Sequence, residues 1–368
     1  MQTKIPERNL ISPFLVMFLI NAMQVGVGVL GFPRYIAKDM EYDGWIAVII
    51  SGLITSAMIW VIYDILKRGN GDVVSINKQV FGKWIGGLFT FLLLTYLLSV
   101  TLVVLRTFTE VIQVWIFPNL STWSITAVYC ILAYYCIVKG FRVVTGVCFF
   151  GVILSLITYF SLIGPLEFME IRNLLPLFDA SLKDYLPGIK TIVLSYLGIK
   201  MLFIYYPFIK KPETSLKWAL AGNFLTIFMY LLVSFAAFIY FSPKQLSLTI
   251  WPLLTMWQII ELPFLERFEY LAIPIWGLVV LPNICLGLWA TSRGYKLLFS
   301  INQHQTLILL LMILFCASIV FETRQGIDQL NTVVSEIGFY FTYVYIPFLW
   351  VAQKIRLKGA QHDVSKSG

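Results

Sequence analysis

NAMQVGVGVLGFPR, residues Asn21 to Arg34, decides how the rest of the chain is read. It lies inside an apolar run that begins at Ile11, yet it carries Gly26, Gly28 and Gly31 and closes with Pro33. Each glycine costs a helix roughly 1 kcal/mol of propensity, so a continuous helix fits poorly. In hydrocarbon, unwound backbone survives only where protein buries it or a polar cavity receives it. Two readings follow. Either a membrane helix is interrupted here and turns its freed N–H and C=O groups toward a bound solute, as in transporters built from inverted repeats, or the glycines let a neighbouring helix approach closely, in the small-xxx-small manner.

The composition around this stretch sets the class. Hydrophobic residues make up 59% of the 368, charged residues only 12%, and the mean hydropathy is +0.83. A soluble domain averages about 25% charged residues, so this is a multi-span membrane protein. The net charge of +8 fits basic cytoplasmic loops, and no nucleic-acid-binding motif accompanies it. Cys130, Cys136, Cys148, Cys285 and Cys316 all sit in apolar runs, where cysteine behaves as a small core residue. Only His304 and His362 offer imidazole, so neither a disulfide nor a metal site is expected, and no cofactor. No small-residue cleavage site follows a short apolar core, so the first span is expected to stay as an anchor.

Apolar runs long enough to cross a bilayer number ten, near residues 11–33, 44–66, 85–116, 121–139, 141–164, 186–209, 216–241, 265–291, 305–321 and 332–353. The third exceeds one simple crossing, so it tilts or projects; it carries Arg106 and Glu110 four apart on one face, read as an interfacial ion pair in preference to a proton relay. Placing the N-terminus inside puts seventeen of the twenty-seven Lys and Arg residues in inner segments, including Lys4, Lys358 and Lys366. The positive-inside rule therefore predicts both termini in the cytoplasm. Outer segments hold Lys183 and Arg267 but are rich in acids, among them Asp39, Glu41, Asp179 and Asp184. Two outer connections are long: Pro165 to Lys183, and Ser242 to Pro263. In the second, Ile250, Trp251, Leu254, Trp257 and Ile260 can share one face of a short helix. It either lies on the membrane or caps a cavity, and the bracketing Pro252 and Pro263 favour the cap.

A second interruption stands in the sixth span, where KTIVLSYLGIKMLFIYYPFIKK holds Gly198 mid-run, Lys200 two residues on, and Pro207 near the end. Interrupted spans one and six of ten imply two five-span halves, residues 1–164 and 184–353, followed by a cytoplasmic tail at 354–368. An odd number of spans per half makes their topologies opposite, the inverted-repeat arrangement with solute between the breaks. The whole chain, 1–368, is then one membrane domain. A central Lys costs about 2.5 to 3.5 kcal/mol on insertion scales. Lys200 should therefore hold a solute carboxylate or mimic a coupling cation, or else snorkel or find local partners, and the local reading is preferred. Tyr96 and Val100 share a face of span three, with Ser99 alongside. Asn283 follows Pro282 four residues before Gly287 in span eight, and its amide needs partners, either a solute or a neighbouring helix.

The chain also resembles a known family. GVGVLGFPR after Asn21, DGW at 43–45, GKWIG at 82–86, SYLGIK at 195–200, IWP at 250–252 and ERFE at 266–269 look like the B subunit of spore germinant receptors, the endospore germination permease family. That family lies within the amino acid, polyamine and organocation transporter superfamily. The resemblance spans essentially the whole chain. It implies an all-α, leucine-transporter-like fold with helices 1 and 6 discontinuous, a place in the spore inner membrane, A and C partner subunits, and nutrient sensing. By analogy the pocket takes Gly26, Gly28, Tyr96, Val100, Leu197, Gly198, Asn283 and Gly287, with Gln24, Ser195 and Lys200 as a second tier. Three positions depart from the family pattern: Lys200 replaces an acid, Asn283 a hydroxyl and Gly287 an aromatic.

Three function classes compete. A ligand-sensing subunit would bind a small amino acid or sugar between the broken helices and pass the closure to a partner. A proton- or cation-coupled transporter would use the same pocket with alternating access. An enzyme would need a nucleophile with its base, a metal set or a phosphate loop, and none is present in the sequence. Fold alone does not separate the first two; the family resemblance favours the sensor.

Overall fold

A bilayer leaves no water to pair with backbone N–H and C=O groups, and the chain answers with helices nearly throughout. The computed structural model describes residues 5–69, 71–174, 182–261 and 266–366. Lys4, Asp179 and Pro263, and the side chains of Asp39, Glu41, Lys183, Asp184, Lys358, His362 and Lys366, lie outside the described residues.

Helix α1 (Val16–Gln24) stops where the glycines begin. Val25 (φ −90°, ψ 103°) and Gly26 (φ −139°, ψ −148°) are non-helical, and a 3-10 turn at Val27–Leu30 leads into α2 (Phe32–Met40). Helix α3 (Gly44–Gly69) follows in one piece. Helix α4 (Val73–Trp115) is turned at Gly82, whose φ of 83° suits only glycine. Its first turns fold back, and Gly86 lies against the Asn77 backbone. The third apolar run is therefore a long helix with a separate piece before it.

Helices α5 (Thr122–Val138) and α6 (Phe141–Tyr159) lead to a 3-10 segment at Phe160–Phe168. The second interruption comes next: α7 (Leu182–Val193), a 3-10 stretch at Leu194–Met201, and α8 (Leu202–Tyr205). Pro187–Val193 and Ser195–Phe208 are bent by 43°. After α9 (Leu216–Tyr240) come the short α10 (Pro243–Leu248) and α11 (Pro252–Gln258), then α12 (Glu269–Phe299) and α13 (Gln303–Val320). Helix α14 (Arg324–Tyr340) passes through a π-turn at Phe341–Tyr345 into α15 (Ile346–Lys366).

Both expected interruptions are present. Among the described residues seven helices are long and apolar enough to cross a membrane, eight with the bent pair, and Pro13–Gln24 and Thr122–Val138 are shorter apolar helices. The helix that carries the last apolar run, 332–353, begins earlier, at Arg324, because polar residues of α14 continue it. Helix α15 runs on through residues 354–366, the expected tail.

Helix α12 sits at the centre, against α4, α5, α6 and α13, and touches α1. Lipid tails are as apolar as leucine, so close packing and polar contacts hold such helices together. Gly222 of α9 shows this: a Cβ there would run into the Met17 carbonyl and lie 3.2 Å from Ile20 Cβ. At one end, Ile11 N–H donates to Phe208 O (2.8 Å) and Lys210 N–H donates to Ile11 O (3.0 Å). This joins the entry of the first interrupted element to the exit of the second. At the other end α11 packs against the Val27–Leu30 turn. Trp251, Leu254, Trp257 and Ile260 are buried against the protein, the face expected of a cap; Ile250 departs from that face and is 40% exposed.

Gly222→Val should cost about 1–3 kcal/mol by overpacking the α1–α9 contact, read as a lower midpoint in thermal unfolding of the purified chain. An unchanged midpoint would mean that α9 does not approach α1 this closely.

Candidate ligand site between the interrupted helices

A helix that ends inside a membrane leaves four carbonyls to be satisfied. At the end of α1, Asn21 O accepts from Val25 N–H (2.8 Å). Ala22 O accepts from Asn283 Nδ2 of α12. Met23 O faces Gly198 in the other break so closely that a Cβ there would collide with it. Gln24 O accepts from the Tyr230 hydroxyl (2.7 Å), which also lies 3.1 Å from Ser195 O. One tyrosine proton thus faces a carbonyl from each interruption and serves one at a time.

A buried polar network extends this junction. Gln24 Nε2 donates to Asn223 Oδ1 (2.7 Å), Thr226 Oγ1 donates to Gln24 Oε1 (2.7 Å), and Asn21 Nδ2 donates to Thr226 Oγ1 (2.9 Å). Asn223 Nδ2 in turn donates to Gly52 O (2.8 Å) and Ser56 Oγ (2.9 Å) of α3. Asn223, Thr226 and Tyr230 were not singled out from the sequence. Their signal was there: three and four residues apart, they form one polar stripe on an otherwise apolar α9.

The glycines divide by role. Gly26 is half-buried, and a Cβ on it would lie 2.7 Å from Asn283 Oδ1, an acceptor that is buried without a hydrogen-bond partner. Gly28 is exposed, with nothing within 4 Å of a Cβ position. Gly31 packs under the cap, against Ile250 O and the Trp251 ring. Gly198 allows the two breaks to touch, while Gly287 meets Thr101 of α4 and so serves helix packing. Val100, next to Thr101 in sequence, is half-buried.

Tyr96 and Leu197 come together at Gly338 of α14, each 2.5 Å from where its Cβ would be. Lys200 joins them. Its ammonium donates to Thr342 Oγ1 (2.6 Å) and Gly338 O (3.3 Å) and lies 4.7 Å from the centre of the Tyr96 ring. The local reading of Lys200 therefore holds, with partners 138 and 142 residues away that spacing could not supply.

Arg106 and Glu110 do not form an ion pair. Arg106 donates to Phe321 O (2.5 Å) and Glu322 O (3.2 Å) past the end of α13, where carbonyls attract a cation. Glu110 instead holds Arg324 at 2.8 Å, and Arg324 also pairs with Asp328 and lies over the Trp251 ring of the cap. An open cleft of about 640 Å³ beside this cluster is lined by Arg324, Asp328 and Thr332, among others.

The family model described as spore germination protein matches residues 10–327. The chain is 41% identical over 355 residues to the spore germination protein GerQB of Bacillus cereus, covering 96% of this chain and 99% of that one. The chain belongs to the spore germination protein family. Solved structures add the fold. A Na+-coupled sialic acid symporter superposes with a TM-score of 0.64 at 10% identity, over 93% of this chain and 80% of its own. MhsT in complex with L-phenylalanine gives 0.58 at 16% identity, over 92% and 87%. The germination protein thus has a leucine-transporter-like fold, with first and sixth elements interrupted, and it is an integral membrane protein and not an enzyme.

Tyr230→Phe leaves two carbonyls at the junction without their donor. Leaving such a buried group unpaired costs about 1–3 kcal/mol. Amide hydrogen exchange should quicken first around residues 22–26 and 194–198, and equal rates in both proteins would show that the hydroxyl does not bind the breaks together.

Proposed function

We propose that this germination protein is the nutrient-sensing subunit of a spore germination receptor. A small nutrient, an amino acid or a sugar, binds between the two interruptions, draws the bundle closed around it, and the change passes to A and C subunits to start germination. The observation that carries this reading is the half-buried Gly26 facing an unpartnered Asn283 oxygen beside the junction of the two breaks. A buried acceptor without a donor costs stability, and a ligand N–H or O–H would offset that cost. Gly28, Tyr96, Val100, Leu197 and Ser195 complete the proposed lining, with Gln24 and Gly198 holding it in shape and Gly287 setting its distance from α4.

The membrane reading goes with it. The seven long apolar helices, the bent pair and the two shorter apolar helices support ten crossings arranged as two inverted halves, 1–164 and 184–353. The inner excess of Lys and Arg supports cytoplasmic termini, and family membership supports the spore inner membrane. A ligand shifts such a bundle only by binding one state more tightly than the other, so the gap between the breaks must tighten on closure.

The symporter likeness favours a second reading, a proton- or cation-coupled transporter. Against it stands the end of α1, where coupled carriers place free carbonyls around the ion; here Ala22 O and Gln24 O already accept from Asn283 and Tyr230.

Gly26→Trp fills the proposed pocket. Spores carrying it should hold normal amounts of the protein and show no response to the nutrient, and binding of the labelled nutrient to the purified chain should fall at least about a hundredfold, or about 2.8 kcal/mol. A chain that disappears from the membrane would assign Gly26 to packing. In the same assay Asn283→Ser should change which nutrient of a panel works, and an unchanged preference would remove Asn283 from the pocket.

A further inference from the structure

Two of the five cysteines meet inside the bundle, although their positions in the chain give no sign of it. Helices α5 and α12 lie side by side, and Tyr129 sets their register. Its hydroxyl donates to Gly277 O (3.0 Å) and stands 2.6 Å from where a Gly277 Cβ would be. Cys136 follows Tyr129 by seven residues and Cys285 follows Gly277 by eight, so at about 1.5 Å per residue both lie two turns further along parallel helices. There the two thiols come within hydrogen-bonding reach of one another. All five cysteines are free.

The pair is unequal. Cys136 is half-buried, near the Lys139 end of α5, whereas Cys285 is 0% exposed. Oxidation of thiols follows exposure, so Cys136 is the sulfur that an oxidant reaches and Cys285 the one held behind it. Helix α5 has an open outer face, with Ile131 and Tyr135 exposed, and can shift to bring the sulfurs to the about 2.0 Å of a bond. Cys285 stands two residues from Asn283, whose amide donates to Ala22 O at the end of α1. A third cysteine, Cys148 of α6, is buried along the same stretch of α12, where Phe141 stacks on Trp289 (4.1 Å) and Gly151 lies against the Pro282 ring.

We propose that Cys136 and Cys285 are a peroxide-responsive thiol pair, and that their disulfide ties α5 to α12 and holds Asn283 on the end of α1. The Cys136 thiolate attacks hydrogen peroxide and the O–O bond breaks. The sulfur is oxidised to a sulfenic acid, and the departing oxygen, reduced to hydroxide, takes the Cys136 proton and leaves as water. The Cys285 sulfur then attacks the sulfenic sulfur. An S–S bond forms, the S–O bond breaks, and the hydroxide leaves with the Cys285 proton as a second water. Two thiols and one peroxide thus give one disulfide and two waters, and a dithiol reductant reverses the bond by exchange. A bond to the peripheral α5 limits the movement of α12. Because the Asn283 amide is a donor to an α1 carbonyl, the first break loses freedom with it, whatever solute the protein binds.

The test uses the full chain in lipid nanodiscs, treated with graded hydrogen peroxide and then with dithiothreitol. Peptide mapping by mass spectrometry should find Cys136 joined to Cys285 and both thiols restored by dithiothreitol. Amide hydrogen exchange around residues 22–26 should slow severalfold, only while the bond is present. Cys136→Ser and Cys285→Ala should each abolish the bond and the slowing, and Cys148→Ala should keep both. In Cys285→Ala the Cys136 sulfenic acid has no thiol to resolve it and should be trapped by dimedone. Peroxide that leaves both thiols free, carries Cys136 on to the sulfinic acid in the wild type, or joins Cys285 to Cys148 would overturn the pair. A bond that forms without changing the exchange would overturn its hold on the first break.

Discussion

A helix cannot end inside a bilayer without something to receive its last carbonyls, and the carbonyl end of α1 is the constraint on which this structure depends. Three of the four terminal carbonyls have a donor, from a local turn, an amide of α12 and a tyrosine of α9, and the fourth, Met23 O, lies against Gly198 of the second break. Those answers determine which helices must surround α1. They also place Gly26 against the Asn283 amide and leave open space at Gly28.

The likeness between the two interruptions follows from the same constraint. The chain enters the first through a backbone pairing with the exit of the second, and Gly198 lets the second lie directly on Met23. Movement at one break is therefore felt at the other through a shared hydroxyl and a shared contact. In a sensor this coupling converts occupancy into shape; in a carrier it would convert occupancy into alternating access. What distinguishes them is how fully the helix ends are satisfied from within the protein, and here side-chain donors already hold two of the α1 carbonyls.

Much of this was legible in the sequence, for physical reasons. Glycines in an apolar run are conspicuous because they weaken a helix that the membrane demands, and so Gly26 and Gly198 marked both breaks. Trp251, Leu254 and Trp257 marked the cap because their spacing makes a face. Partners were not legible. Arg106 and Glu110 stand at a spacing that favours pairing, yet Arg106 turns to the carbonyls at the end of α13, and Glu110 is claimed by Arg324, 214 residues away. Nor does spacing show that Thr101 lies against Gly287. Asn223, Thr226 and Tyr230 form a stripe that spacing shows, but which amides and carbonyls they meet is set only by the fold.

The most direct test of the central claim is to compare binding with accumulation. The purified chain, reconstituted into sealed vesicles under proton, sodium or potassium gradients, is given a labelled nutrient that it binds at equilibrium. A sensor binds the nutrient saturably, indifferent to every gradient, with no label accumulating in the lumen. Accumulation that rises with an imposed gradient and collapses when the gradient is dissipated would contradict it, and would make the germination protein a working permease.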